Sequence, residues 1–336
     1  MSLNRKSKFA LTLILLTAAL TGASLLSLCV GSADIPVRRI PGLLFSGRET
    51  VQSAILFDIR LPRLILGIVV GGALSLAGAL LQGMFRNPLV EPYTLGISGG
   101  ASLGVCLTIL LKWDNVVGVI AYPISGFAGA AGVILIVYYL SLNAGTLKTN
   151  NMLLTGVMIS FVSSSLVMLL MAISRSEDIH TIVLWIMGSL DVTDLALVKI
   201  VSIGALTGLI VSYFFCLDLN ALALGEAEAA SLGINVERTK KWLFILASLL
   251  TGLSVSVAGI IGFVGLIVPH TMRIITGTDH RLLLIGSFMA GAFFLVLCDV
   301  VARTVIAPLE LPVGVITGII GGTIFIYVLG RKQITL

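Results

Sequence analysis

Charge is what this sequence has least of. Asp, Glu, Lys and Arg make up 11% of its 336 residues, hydrophobic residues 57%, and the mean hydropathy is +1.11. A soluble domain of this length needs far more charge to cover its surface, so lipid must be the solvent for much of it. Ionisable groups are also missing from the middle of the apolar runs. A gradient-driven carrier places an acid or base inside its bundle to partner the coupling ion. The nearest candidate, Asp299, lies toward one end of its run with Arg303 four residues on, the spacing of an ordinary helical ion pair. There is no G-x-x-x-x-G-K-[ST] phosphate loop, no H-E-x-x-H and no G-x-S-x-G, and no two carboxylates share the core of a run. The chain is therefore expected to be no enzyme, to bind no cofactor and to draw its energy from a partner. Cys29, Cys106, Cys216 and Cys298 stand singly in apolar stretches, without metal-ligand or disulfide spacing. His180, His270 and His280 are scattered and read as polar residues at span ends, so no metal site is expected.

What is present is a series of apolar runs near the ~20 residues that a span needs: 9–33, 64–85, 92–111, 115–147, 149–174, 200–217, 242–272, 282–298 and 311–330. The run 242–272 is too long for one span and contains Gly259, Gly262, Gly265 and Pro269, so it reads as one full span plus a short one. The expected fold is an all-α polytopic membrane protein of about ten transmembrane helices in a single transmembrane domain, 1–336. The first run is longer than a signal-peptide core, and Leu28 is a poor residue before a lipoprotein cysteine at Cys29, so it is kept as span one. Arg5, Lys6, Lys8, Arg331 and Lys332 at the termini place both ends in the cytoplasm by the positive-inside rule. The long outer segments are then 31–63 and 175–194, the latter with an apolar stretch 179–190 suited to lying at the interface.

Ser75, Ala77, Gly78 and Pro88 are echoed by Ser256, Ala258, Gly259 and Pro269 in the pattern S-x-A-G-x9-P. The copies fall in spans two and seven, an odd shift, so they run in opposite directions. This suggests an inverted repeat of spans 2–5 and 7–10, a transporter signature. Gly96, Gly100 and Gly104, and again Gly314, Gly318 and Gly322, form stripes where a neighbouring backbone can approach.

The largest inner loop, 218–241, reads as two short helical pieces separated near Gly225, with small and apolar residues on one face and Glu226 and Glu228 on the other. An apolar patch in cytoplasm is a liability unless a protein covers it. The segment resembles the coupling helices of the iron-siderophore, haem and cobalamin permease family of ABC importers. Other blocks agree in order and spacing: Ile59-Arg60-Leu61-Pro62-Arg63; Gln82 with Arg86-Asn87-Pro88-Leu89-Val90-Glu91-Pro92 and Leu95-Gly96; Gly262 to His270 with Arg273 and Asp279-His280-Arg281; Asp299 with Ala302-Arg303; and Leu311-Pro312-Val313-Gly314. Thr323 departs from the proline usual in the family's last G-x-P-x-F block, which would soften a bend there.

The resemblance implies a permease subunit that moves an iron chelate, haem or cobalamin inward across the inner membrane of a prokaryote. Its expected partners are a second permease chain, most simply a copy of itself, two ATP-binding subunits holding ATP and Mg, and an extracytoplasmic substrate-binding protein; no nucleic acid is implied. ATPase coupling would fall on Leu224, Gly225, Glu226, Ala229, Leu232 and Gly233, the alternative being an amphipathic loop on the membrane surface. Arg60, Arg63 and Arg303 would receive acidic residues of the binding protein, or else anchor span ends by snorkelling. Thr149 and Asn150 would form the gate, or cap a helix. Gln82, Asn87 and Pro88 would lie on the pathway. The reading from another class is an ion-gradient-driven carrier with inverted repeats, which needs a coupling-ion site that the sequence does not offer.

Overall fold

The computed structural model describes residues 5–31, 36, 38, 42, 50–143, 146–192 and 194–332. Much of the expected outer segment 31–63 lies outside the described residues. Helix α1 covers Arg5–Cys29 and α2 covers Val51–Phe85. A 3-10 turn at Pro92–Leu95 leads into α3, Ile97–Leu110; α4 is Ala121–Ser141 and α5 is Thr149–Ala172. Then follow α6, Ser176–Met187; α7, Leu195–Phe214; α8, Cys216–Leu222; and α9, Glu226–Ser231. The last four are α10, Val236–Ala258; α11, Val264–Thr276; α12, His280–Thr304; and α13, Val313–Lys332. The strands β1, Leu142–Asn143, and β2, Thr146–Leu147, pair antiparallel between α4 and α5 as a minor addition to an all-helical fold.

Among the described residues seven helices are long and apolar enough to cross a membrane: α1, α2, α4, α5, α7, α10 and α12. Three further apolar helices, α3, α11 and α13, accompany them. A count of about ten needs these three as well. Helices α3 and α11 are short for local reasons. The run 92–111 opens with a 3-10 turn and Gly96 at φ 82°, so α3 starts at Ile97. The run 242–272 divides at 259–263, where Gly259 and Phe263 both take φ 68°. Pro269 is no part of that break; it lies inside α11.

The core is organised around α2, which is buried along nearly its whole length and packs on α12, α10, α7 and α11. Its backbone meets that of α11 directly. A Cβ on Gly78 would lie 1.8 Å from the carbonyl oxygen of Gly265. Helix α2 also begins earlier than the run at 64 suggests. Pro62 has no N–H to donate, and the turn before it widens to a π-helix over Ile55–Arg60, so Arg60 and Arg63 ride on a helix rather than a loop.

The first glycine stripe packs α3 on α4, since a Cβ on Gly100 would meet Gly129 O at 2.5 Å and one on Gly104 would meet Ser125 O at 2.3 Å, while Gly96 caps the helix instead. In the second stripe Gly314 abuts Met187 O and Ile260 O, and Gly318 meets nothing within 4 Å. The S-x-A-G-x9-P echo takes different local structure in its two places. Ser75–Gly78 lies in mid-helix with Pro88 beyond the helix end, whereas Ser256–Gly259 forms a helix end and Pro269 is helical. Thr323 leaves α13 continuous, its hydroxyl donating to Ile319 O at 2.7 Å.

Candidate functional site: a broken helix, a two-helix segment and an arginine cluster

The interrupted stretch 259–263 exposes backbone groups that α-helix would have satisfied, and inside a bundle each must find a partner. Side chains of the 82–96 segment supply them. Tyr93 Oη donates to Ile261 O and accepts from Ile261 N, both at 3.1 Å, and Glu91 Oε1 accepts from Phe263 N at 2.8 Å. Burial raises the Glu91 carboxyl above its ordinary value, and the Phe263 N–H opposes that rise. Gln82 is fully buried, and its Nε2 donates to Val90 O, Gly265 O and Leu266 O. Gln82 is thus a pin between α2 and α11. Asn87 and Pro88 form the turn after α2: Asn87 Oδ1 accepts from Leu89 N at 2.9 Å. From the other side α6 clasps the break, with Ser189 N donating to Ala258 O at 2.9 Å and Gly188 against Ile260 O. The stretch 179–190, expected to lie along the interface, therefore ends packed into the bundle. His270, expected at a span end, is buried within α11, and His280 opens α12.

At the end of the bundle where α2 finishes and α12 begins lies the segment 216–235. It forms two short helices, α8 and α9, divided at Gly225, whose φ of 140° suits glycine. Residues 236–241, expected within the loop, already belong to α10. The segment is tied to the spans at three points. Glu226 Oε2 meets Lys240 Nζ at 2.6 Å, Thr239 Oγ1 donates to Asp218 Oδ2 at 3.0 Å, and Asn220 Oδ1 accepts from His280 N at 2.9 Å. Leu224 and Leu232 point outward, 67% and 64% exposed, and Gly233, at φ 87°, is exposed beside them. Ala229, expected on the same surface, is fully buried, because α9 lays that face on the bundle.

Thr149 and Asn150 open α5 and line a cavity of about 430 Å³ with Leu147, Lys148, Asn151, Glu226, Glu237 and Lys240. Neither caps the helix: the N-cap is Lys148, which makes no side-chain capping bond. Lys240 is 4% exposed and also lies 3.8 Å from Glu237, whose other oxygen accepts from Leu147 N at 2.7 Å. A continuous line thus runs from α9 through Glu226, Lys240 and Glu237 to the backbone beside Thr149. Lys240 and Glu237 escape a motif reading; only their i,i+3 spacing signals them.

The opposite end holds the arginines. Arg60, Arg63 and Arg303 are 5–6% exposed and engaged within the chain. Arg63 pairs with Asp299 at 2.8 Å and Glu310 at 2.6 Å, and Arg303 with Asp299 at 3.0 Å. Arg303 also donates to Ser27 Oγ at 2.9 Å and Val30 O at 3.2 Å, and Arg60 to Leu28 O at 2.6 Å. The cluster fastens α1, α2 and α12 together. As free charges awaiting a partner these side chains do not stand: the structure buries and pairs them. Among the described residues no three His, Cys, Asp or Glu side chains come together as a metal site.

A polytopic helical bundle with a broken span, and a two-helix segment displayed at one end and wired to the start of α5, defines an ABC transporter permease subunit. The chain belongs to the FecCD transport family, which it matches over residues 16–331. It is 43% identical over 321 residues to the Fe(3+) dicitrate transport system permease protein FecD of Escherichia coli, covering 95% of this chain and 98% of that one. It is 38% identical over 278 residues to the hemin transport system permease protein HmuU of Yersinia pestis, covering 82% and 83%. It is 36% identical over 334 residues to the vitamin B12 import system permease protein BtuC of Klebsiella pneumoniae, covering 98% and 95%. A solved structure described as an inward-facing metal-chelate type ABC transporter superposes with a TM-score of 0.83 at 29% identity, covering 98% and 100% of the two chains.

Proposed function

We propose that this permease carries an iron chelate, haem or cobalamin inward through a pathway between two permease chains, the second being a copy of the first. A binding protein delivers the cargo outside, and two partner subunits hydrolyse ATP with Mg at the cytoplasmic end. The segment 216–235 is the cytoplasmic docking element, with Leu224 and Leu232 as its anchors, so both termini are cytoplasmic. Ten spans, with spans 2–5 and 7–10 as inverted halves, suit that arrangement. On the outer side Arg60, Arg63 and Arg303 serve docking indirectly, holding the ends of α1, α2 and α12 at the fixed spacing that a rigid binding protein needs. The relatives carry Fe(3+) dicitrate, hemin and vitamin B12, and the cargo proposed here is of that class.

The observation that carries this reading is the line Glu226–Lys240–Glu237–Leu147 N, centred on the buried ammonium of Lys240, which joins the docking element to Thr149 and Asn150. A shift of α9 on ATP binding moves Lys240 and, through Glu237, the start of α5. The test is reconstitution in proteoliposomes with the ATPase partner and a loaded binding protein, with Lys240→Met and Lys240→Arg. Lys240→Met is expected to assemble and hydrolyse ATP while uptake per ATP falls roughly tenfold, the worth of one charge-assisted bond; Lys240→Arg restores most of it. Normal uptake by Lys240→Met removes the relay. Failure of any ATPase subunit to co-purify with the wild-type chain removes the importer reading altogether.

A further inference from the structure

A second cavity, of about 190 Å³, opens beside the docking element and belongs to neither the gate nor the relay. Gln82, Gly83 and Arg86 from the end of α2, Ala223 after α8, Arg273 near the end of α11, and Thr278 and His280 at the α11–α12 turn line it. No acidic side chain is among them.

Its chemistry follows from hydrogen-bond accounting. Nε and one terminal nitrogen of Arg273 are buried without a partner, so the cavity presents unused guanidinium donors. Arg86, at the lip, adds a second positive charge, held there by a left-handed backbone at φ 50°. The two most buried polar residues supply the opposite function. Asn220 Nδ2 donates to Asp279 Oδ1 at 2.9 Å, which identifies Asn220 Oδ1 as an acceptor; His280 Nδ1, 2.8 Å from that oxygen, must therefore be the donor. That leaves His280 Nε2, on a side chain 2% exposed, as a lone-pair acceptor with no donor. Gly83 keeps this edge open, since a Cβ there would lie 2.8 Å from Nε2. Gln82 spends its Nε2 on three carbonyls, and its Oε1 is a second buried acceptor without a donor.

Two cationic donors beside two neutral acceptors suit a ligand that is anionic in one part and hydroxylated in another. Water alone would serve the acceptors but leave the guanidinium charge of Arg273 uncompensated. A bare sulfate would do the reverse. We propose that this cavity binds a phosphoglycerol group, its phosphate on Arg86 and Arg273 and its hydroxyls on His280 and Gln82. Arg–phosphate pairing of this kind is strong and directional. The location favours a lipid source. Arg86 follows the last residue of the span Val51–Phe85, and His280 is the first of the span His280–Thr304, so the cavity sits at headgroup depth.

The test is native mass spectrometry of the purified full-length chain in detergent, with phosphatidylglycerol or phosphatidylcholine added, and with soluble glycerol 3-phosphate as a competitor. One phosphatidylglycerol is expected to stay bound in preference to phosphatidylcholine. Arg273→Gln and Arg86→Gln should each weaken it roughly tenfold, one charge-assisted bond apiece. Arg281→Gln, an exposed charge next to His280 but outside the cavity, should leave it unchanged. An unchanged elution volume and melting temperature exclude misfolding, and Arg273→Lys, which keeps the charge, should recover part of the affinity. Equal loss from Arg281→Gln, or none from Arg273→Gln, overturns the site. Displacement of the lipid by an equal concentration of glycerol 3-phosphate keeps the phosphoglycerol site and overturns the lipid source.

Discussion

At the residue scale, the ion cluster at Asp299 shows how local spacing and long-range pairing differ in legibility. The i,i+4 pair with Arg303 is plain in the sequence, because helix geometry alone brings the two side chains together. Arg63 lies far away along the chain, and nothing in the sequence says that it meets the same carboxylate at 2.8 Å. The consequence is functional: a pair of arginines that looks like a waiting docking patch is already satisfied. Removing one member of a buried charge network leaves the others uncompensated, at a cost of about 3–5 kcal/mol. Asp299→Asn is therefore expected to lower the thermal unfolding temperature of the purified chain markedly, while Glu310→Gln, whose carboxylate is 46% exposed, costs under ~1 kcal/mol. Equal effects of the two substitutions would contradict the burial argument. Gly78→Ala is expected to be more disruptive still, since its new methyl would meet backbone at 1.8 Å and no rotamer change relieves that.

At the scale of elements, the break between α10 and α11 joins two sequence blocks that look independent. Glycines made the interruption at 259–263 readable, but the residues that complete it, Glu91 and Tyr93, sit in another block whose partnership only the fold discloses. Tyr93→Phe removes both bonds of the hydroxyl to Ile261 and should destabilise the chain by about 1–3 kcal/mol through unsatisfied backbone groups. Glu91 adds a pH dependence. Its carboxyl is raised in the folded chain by burial, so the stability that this group contributes is complete at low pH and is lost as pH rises through the raised native value. Glu91→Gln keeps an acceptor for Phe263 N and removes the titration. Across an unfolding series in pH, the wild type should lose stability relative to Glu91→Gln as pH rises above the ordinary carboxylate range. Parallel curves would mean that the carboxyl is solvated. Helix boundaries were readable where a glycine divides the segment, as at Gly225, and misread where the helix runs on past the apolar residues into charged ones, as at the π-helical start of α2 with Asp58 and Arg60.

At the scale of the whole molecule, the bundle is asymmetric in what each end offers. One end is a closed electrostatic knot; the other displays the segment 216–235 with Leu224 and Leu232, on either side of α9, turned outward and Ala229 turned in. The two leucines contribute nothing visible to the chain's own core, so their exposure calls for a partner that covers them. Burying a leucine against another protein is worth about 1.5–3 kcal/mol, and placing a glutamate there instead adds the cost of an unpaired buried charge. Leu224→Glu with Leu232→Glu should therefore reduce association with the ATPase subunit by roughly a hundredfold or more, read as loss of co-purification and of ATPase activity in vesicles. Because both side chains are solvated in the isolated chain, its melting temperature should move by no more than about 0.5 kcal/mol would produce. A variant that melts early would place the leucines in the chain's own packing. One that still recruits the ATPase at full strength would move the docking surface elsewhere on the same end, to the exposed residues Ala227, Glu228 and Ser231 along α9. The double substitution thus separates a segment built for the fold from one built for a partner, the distinction on which the proposed docking role rests.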